Sequence, residues 1–378
     1  MTGLVLTEEQ QMLKDAAKRF LQERAPVAEL RRLRDERDET GFSRDTWAEM
    51  VDMGLAGTLI PEDFGGTGFG HVGMGQVFEE AGRNLSASPL LSTAVLGAAA
   101  VNLAGNAEQK QALLGAIAEG SLVTALAADE APRHDPLKVE TRAEAEGDGY
   151  VVNGRKQFVV DGHVADKLIV SARTSGGSSD SEGISLLLVD READGVDVER
   201  TIMMDNRNAA VVTFDNARAE GLLGEEGKGY AVLERVLDAG NAQLAAELLG
   251  IAQESFDRTV KYLQERKQFG VTIGSFQGLQ HRAAHLFSEI ELVKSVVIRA
   301  LQALDEDADD TPALVSLAKA KASEVAELAT NEGVQMHGGM GMTDEFDIGL
   351  FLKRARPVQQ LFGDYRYHAS RYARLNGY

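Results

Sequence analysis

Leu286, Ile290, Val293, Val297, Leu301 and Leu304 recur at steps of three and four, which lays one apolar stripe along a helix. A stripe of that length must be buried against other helices, so it commits the C-terminal part of the chain to a bundle. The flanking segments carry the same signal. Leu244, Leu248, Ile251, Phe256, Val260 and Leu263 form a stripe ahead of it. Leu314, Leu317, Ala318, Ala322, Val325 and Leu328 form one behind it, in a helix that Thr311-Pro312 caps and starts. The acidic run Asp305 to Asp310 reads as a solvated turn. The spacing predicts four long antiparallel helices from about Gly229 onward.

The N-terminal part is also helical. Thr7-Glu8-Glu9-Gln10 reads as a capping box, with Leu13, Ala17 and Phe20 inward. A charged segment, Arg31 to Glu39, leads to Ser43, which caps a helix carrying Trp47 and Met50. Pro61 to Gly70 is glycine-rich, but a helical Val77-Phe78-Glu79-Glu80 follows it and no strand precedes it. It reads as a chain reversal between helices rather than a phosphate loop. Ala94 to Leu113 is helical. At Leu122 the texture changes to short β-branched runs between turn signals: Lys138 to Ala145, Gly147-Asp148-Gly149, Tyr150-Val151-Val152, Asn153-Gly154 and Gln157 to Val160. Asn-Gly between such runs predicts a hairpin. Leu168 to Ser171, Ile184 to Val189 and Val211 to Phe214 continue the pattern, and Thr174 to Gly183 is a Ser/Gly/Asp loop. The fold class is therefore α+β: an N-terminal helical domain (1–120), a middle β domain (121–224) and a C-terminal four-helix bundle (225–378).

Composition removes several classes of function. The chain has 378 residues and no cysteine, so disulfides and thiolate chemistry are excluded. Its seven histidines show no ligand spacing. A net charge of -20 argues against a nucleic acid partner. No apolar run reaches the roughly 20 residues a membrane span needs, and MTGLVLTEEQ lacks a signal pattern, so the expected location is the cytoplasm.

One local cluster runs against the acidic average. The helix ending in Tyr262 runs into Arg266-Lys267, passes Gln268-Phe269 and is expected to stop at Gly270, with another helix from about Ser275 carrying Gln277, Gln280 and His281. Cations and amides at such a break suit a phosphate and the polar edge of a nucleotide; they equally suit a solvated helix end.

The run Arg266-Lys267-Gln268-Phe269-Gly270, then Ile273, Phe276-Gln277 and Gln280, resembles the signature of the acyl-CoA dehydrogenases. Gln335-Met336-His337-Gly338-Gly339-Met340-Gly341 and Pro61-Glu62-Asp63-Phe64-Gly65-Gly66 resemble two further motifs of that family, so the likeness spans the chain. In that family a carboxylate removes the proton next to a CoA thioester carbonyl while FAD takes the hydride from the next carbon. The resemblance implies that Arg266, Gln268, Phe269 and Gln277, with Gln335, Gly338 and Gly339, hold the pyrophosphate and adenylate of an FAD whose ring lies in a neighbouring subunit. It implies an electron-transfer flavoprotein as acceptor.

Elsewhere the chain departs from the family pattern. Thr-Glu-Pro and Gly-Ser-Asp are replaced by Ala128-Asp129-Glu130 and Arg133-His134-Asp135, which removes a hydroxyl contact to the flavin ring and one to CoA. The Trp-Ile-Thr strand reads Phe158-Val159-Val160; Phe158 can stack on the ring, but Val160 has no hydroxyl. Phe362 stands where the catalytic glutamate is expected, and Gly240 at its alternative position, next to Asn241. Asp364 and Glu247 remain as candidate bases; each equally suits a structural contact.

Two readings follow. The chain is a base-lacking subunit of a heterotetrameric acyl-CoA dehydrogenase for bulky CoA esters such as steroid side chains, or a self-sufficient homo-oligomeric enzyme using Asp364 or Glu247. A third, an oxidase or desulfinase on this fold, suits the missing base but not the altered ring contacts.

Overall fold

The computed structural model describes residues 4–147 and 149–378. In chain order it has helices α1 Glu8–Arg24, α2 Val27–Asp35, α3 Arg44–Asp52, α4 Gly70–Asn84, α5 Ala98–Ala104, α6 Ala107–Gln109 and α7 Gly115–Ala118. Strands β1 Thr124–Ala127, β2 Arg142–Glu146, β3 Gly149–Val160, β4 Lys167–Arg173, β5 Ile184–Asp190, β6 Val196–Ile202, β7 Asn208–Ala219 and β8 Gly221–Leu223 follow. Helix α8 Gly229–Glu265 leads to the short strands β9 Lys267–Gln268 and β10 Val271–Thr272. The chain ends in α9 Gln277–Asp305, α10 Thr311–His337, α11 Ile348–Gln360 and α12 Tyr365–Leu375.

These elements form two compact units that do not follow chain order. One comprises the chain up to Arg32, His71–Ser86 and Asn241–Tyr378. Its core is the stripe of α9, buried at Leu286, Ile290, Val293, Val297 and Leu301, with Val315, Ala318, Ala322 and Val325 of α10. Helix α4 packs into the same unit through glycines. A Cβ on Gly82 would strike the backbone of Glu247, and one on Gly250 that of Glu79, so α4 and α8 approach at backbone distance. Asp305 is more than a solvated turn residue, since its carboxylate accepts from the backbone of His71 at 2.5 Å and Val72 at 3.0 Å, capping α4. Thr7 and Gln10 form the expected capping box on α1.

The other unit comprises Leu33–Gly70 and Ala87–Gly240. Its sheet has the order β6-β7-β3-β2-β4-β5-β8, with β1 parallel to β4, over a core that includes Leu168, Val170, Leu187, Val212 and Phe214. Ser43 caps α3 as expected.

Four expectations are corrected. Asn153-Gly154 is not a hairpin turn. It lies inside β3, where the register with β7 shifts between Val152 and Gly154. A type I′ turn needs φ above zero at both residues, and only Gly154 has it, at 151°. The turn sits between β2 and β3, at Gly147 (φ 61°), while Asp148 lies outside the described residues. Second, α2 is helical through most of the charged segment read as a connection. Third, the last helix of the bundle is split into α11 and α12 around Leu361–Asp364. Fourth, α8 ends at Glu265, not Gly270.

Candidate functional site

What replaces the expected helix end is a hairpin. Lys267 and Gln268 pair with Thr272 and Val271, and the two turn residues, Phe269 (φ 53°) and Gly270 (φ 83°), are both left-handed. That is type I′ geometry, with Phe-Gly in place of the usual Asn-Gly. The turn holds Phe269 outward, 92 % exposed, edge-on to Phe276 at 6.4 Å. Arg266, Lys267 and Gln268 are exposed beside it. Helix α9 then starts at Gln277 with no side-chain cap, which leaves the positive end of its dipole open to an anion. Gln280 turns back to the Gly274 carbonyl at 2.9 Å, so it supports the turn.

The second motif leaves from an adjoining helix end. Tyr262, near the end of α8, stacks on His337, the last residue of α10, at 4.3 Å and 24°. Gln335, Gly338 and Gly339 are exposed, Gly338 has φ 61°, and a Cβ on either glycine would meet nothing within 4 Å. Guanidinium, ammonium, amides, an uncapped helix and open glycine backbone together make a donor set that fits the phosphates and adenylate of a dinucleotide.

Next, the turn where a base would stand. Leu361 to Asp364 is held from all sides. Lys319 is fully buried, and its Nζ donates to the carbonyls of Gln359 (3.3 Å), Leu361 (3.0 Å) and Gly363 (3.0 Å). Burial pushes its pKa down to about 7, opposed by the charges of Asp364 and Glu247. Asn241 Nδ2 (3.3 Å) and His368 Nε2 (3.1 Å) both donate to the carbonyl of Phe362. Phe362 is buried and left-handed (φ 54°). Gly363 has φ 109°, and a Cβ there would strike the Tyr367 ring. Of the two carboxylates singled out in the sequence, Asp364 caps α12, its Oδ1 accepting from the Tyr367 amide at 2.8 Å. Glu247 is buried against the equally buried Arg354 at 3.4 Å. Both already have structural work to do.

Lys319 was not singled out in the sequence, though a lysine on the inward face of α10, next to Ala318, was the available signal. Lys319→Met should destabilise the protein by about 3 kcal/mol, because it strands several buried carbonyls at once. Urea unfolding of the purified variant checks this.

The residues expected around a flavin ring lie in the sheet unit. A register shift between Lys156 and Val159 puts Phe158 at φ 52° and leaves it 40 % exposed, a flat face turned out of the sheet. Val160 is buried. Ala128 is buried too, its carbonyl accepting from the buried Lys156 Nζ at 3.1 Å, which also binds Glu130 at 2.7 Å. His134 turns inward to Asp129 at 2.8 Å.

Asp161, directly after β3, is buried and left-handed (φ 56°), and it accepts from the Ser92 hydroxyl at 2.7 Å. Burial pushes its pKa up to about 6, opposed by that hydroxyl and by Arg207. A carboxyl raised above its unfolded value supports the fold fully below that value, near 3.8, and loses the support as pH rises through about 6. Asp161→Asn should therefore match wild type near pH 4 and exceed it at pH 8, by on the order of 2 kcal/mol. Unfolding midpoints at the two pH values decide it.

A helical N-terminal segment, a middle β-sheet and a C-terminal helical bundle, in that order, are the architecture of a flavin-dependent dehydrogenase class. The chain belongs to the acyl-CoA dehydrogenase family. It matches the family's N-terminal domain over residues 7–121, its middle domain over 124–217 and its C-terminal domain over 227–374. It is 33% identical over 364 residues to the probable acyl-CoA dehydrogenase YngJ of Bacillus subtilis (strain 168), covering 94% of each chain. Among solved structures it is similar to butyryl-CoA dehydrogenase from Megasphaera elsdenii, with TM-score 0.90, 26% identity and coverage of 98% of this chain and 99% of that one. It is also similar to a chain of the Tcur3481-Tcur3483 steroid ACAD, with TM-score 0.88, 30% identity and 98% of each chain covered. Family membership carries FAD-dependent dehydrogenation of acyl-CoA thioesters. Among the described residues no helix is long and apolar enough to cross a membrane.

Proposed function

We propose that this chain is the base-lacking subunit of a heteromeric acyl-CoA dehydrogenase acting on bulky CoA esters. It donates its hairpin grip to an FAD whose ring, base and substrate belong to a homologous partner chain. The observation that carries this reading is the turn at Phe362, where the resemblance puts the base: the side chain there is a buried apolar ring, while Asp364 caps a helix and Glu247 faces Arg354. The relative named as the Tcur3481-Tcur3483 steroid ACAD, whose name joins two chains, supports the heteromer and the substrate class.

In this reading Arg266, Lys267 and Gln268 bind the phosphates and adenylate edge. The open N-terminus of α9 at Gln277 adds backbone donors, Gly338 and Gly339 let the backbone approach, and Phe269 covers the base. Bound FAD supplies the hydride acceptor, and an electron-transfer flavoprotein reoxidises it. A second reading, a homo-oligomer with Asp364 as base, draws support from Oδ2 of Asp364, which the cap leaves uncommitted.

Co-expression with a homologous subunit tests the proposal. Light scattering and flavin absorbance should show a dimer of dimers that retains flavin, while the chain alone retains little. A flavin-replete, active assembly of this chain alone would refute it.

A further inference from the structure

The outer face of α8, just before Arg266, lines a cavity of about 520 Å³. Part of its wall is aromatic, set among the cations Arg83, Arg258 and Lys261 and the carboxylates Glu254, Asp257, Glu265 and Asp347. Tyr262 and His337 are stacked, and Phe346 stands edge-on to both, 5.9 Å from each ring centre. His337 is only 5 % exposed. Its Nδ1 lies 2.7 Å from the Gly333 carbonyl, which can only accept, so the proton is on Nδ1 and Nε2 keeps a lone pair. The contact with Gly333 is the one hydrogen bond that the ring makes among the described residues. Burial pushes the imidazole pKa down, opposed by the Gly333 carbonyl and reinforced by the Arg258 charge, which favours the neutral ring.

The cations differ in availability. Arg258 is held by Glu254 at 2.9 Å and Asp347 at 2.8 Å. Lys261, on the rim, is exposed and has no ion pair among the described residues. The volume is typical of a small-molecule site. An aromatic wall takes a flat ring, a neutral imidazole acceptor wants an N–H on that ring's edge, and a free ammonium at the mouth wants an anion. An exocyclic amine, a purine and a phosphate on one ligand meet all three.

The geometry points to a second nucleotide site: this cavity binds an adenine nucleotide, apart from the grip around Arg266. The assignment does not depend on whether the chain has its own base. The probe is AMP, titrated calorimetrically into the assembled protein with FAD in excess, so that the grip is filled.

Saturable binding, with Kd below about 1 mM, is expected. Lys261→Glu and Phe346→Ala should each weaken it at least about tenfold. His337→Phe keeps a ring in the stack but removes the acceptor. It should weaken AMP while leaving unchanged the affinity for the purine nucleotide that lacks the exocyclic amine. Arg266→Ala should leave AMP affinity as it was. No saturable binding, or binding indifferent to Lys261→Glu and Phe346→Ala, would overturn the assignment. So would AMP affinity that falls with Arg266→Ala, because the nucleotide would then sit in the grip. Lys261 is exposed and Phe346 half-buried, so these two variants still decide the matter if His337→Phe does not fold.

Discussion

The isolated chain should turn over acyl-CoA thioesters at least about a hundredfold more slowly than the assembled heteromer, since a positioned base is worth roughly 100 to 10,000 in rate. Abstraction of a proton next to a thioester needs a carboxylate aimed at one carbon. Phe362 offers none, and Gly240 has no side chain. The two nearby carboxylates separate cleanly as controls. Asp364→Asn keeps an acceptor for the Tyr367 amide, so the cap on α12 should survive, and a loss of turnover in the folded variant would be chemical. Glu247→Gln leaves Arg354 buried without its carboxylate and should cost about 3 kcal/mol of stability whatever happens to turnover. Brisk turnover by the pure wild-type chain, abolished by Asp364→Asn without loss of flavin, would replace the heteromer with a self-sufficient enzyme.

Arg266→Ala should lower flavin retention at least about tenfold, or about 1.4 kcal/mol, the scale of one charge-assisted phosphate contact. Arg266 is exposed at the base of the hairpin, where its backbone carbonyl accepts from Ile273 at 2.8 Å. That backbone bond survives the substitution, so the hairpin should persist and the loss should report the side chain alone. Flavin absorbance per chain after gel filtration measures it. Undiminished flavin would show that the cluster is only a solvated surface.

The bundle was legible because its stripes repeat over many turns, and the family motifs were legible as strings. What the strings did not carry was backbone shape. Phe269-Gly270 lacks the Asn or Asp that advertises a hairpin, so the segment read as a helix end. Asn153-Gly154 advertises a hairpin, yet β3 continues through it because β7 pairs with residues on both sides. Strand β6 went unread because it lies at the sheet edge, where its alternation runs between half-buried and exposed positions with none fully buried, and β1 because Thr-Ala-Leu-Ala is fully buried and shows no period-two pattern. Lys319 was hidden for a different reason. Its partners are main-chain carbonyls, which no residue letter encodes.

On the proposed reading, the two-residue hairpin also bears on how fast and how reversibly a dinucleotide would be captured. Phe269 and Gly270 already occupy their left-handed wells, and the short ladder fixes the residues on either side. The conformational entropy of arranging this loop is spent during folding, so little remains to be lost when the ligand arrives. A grip of this kind needs no closing motion, and its bound lifetime is set by the contacts it presents rather than by the reopening of a lid.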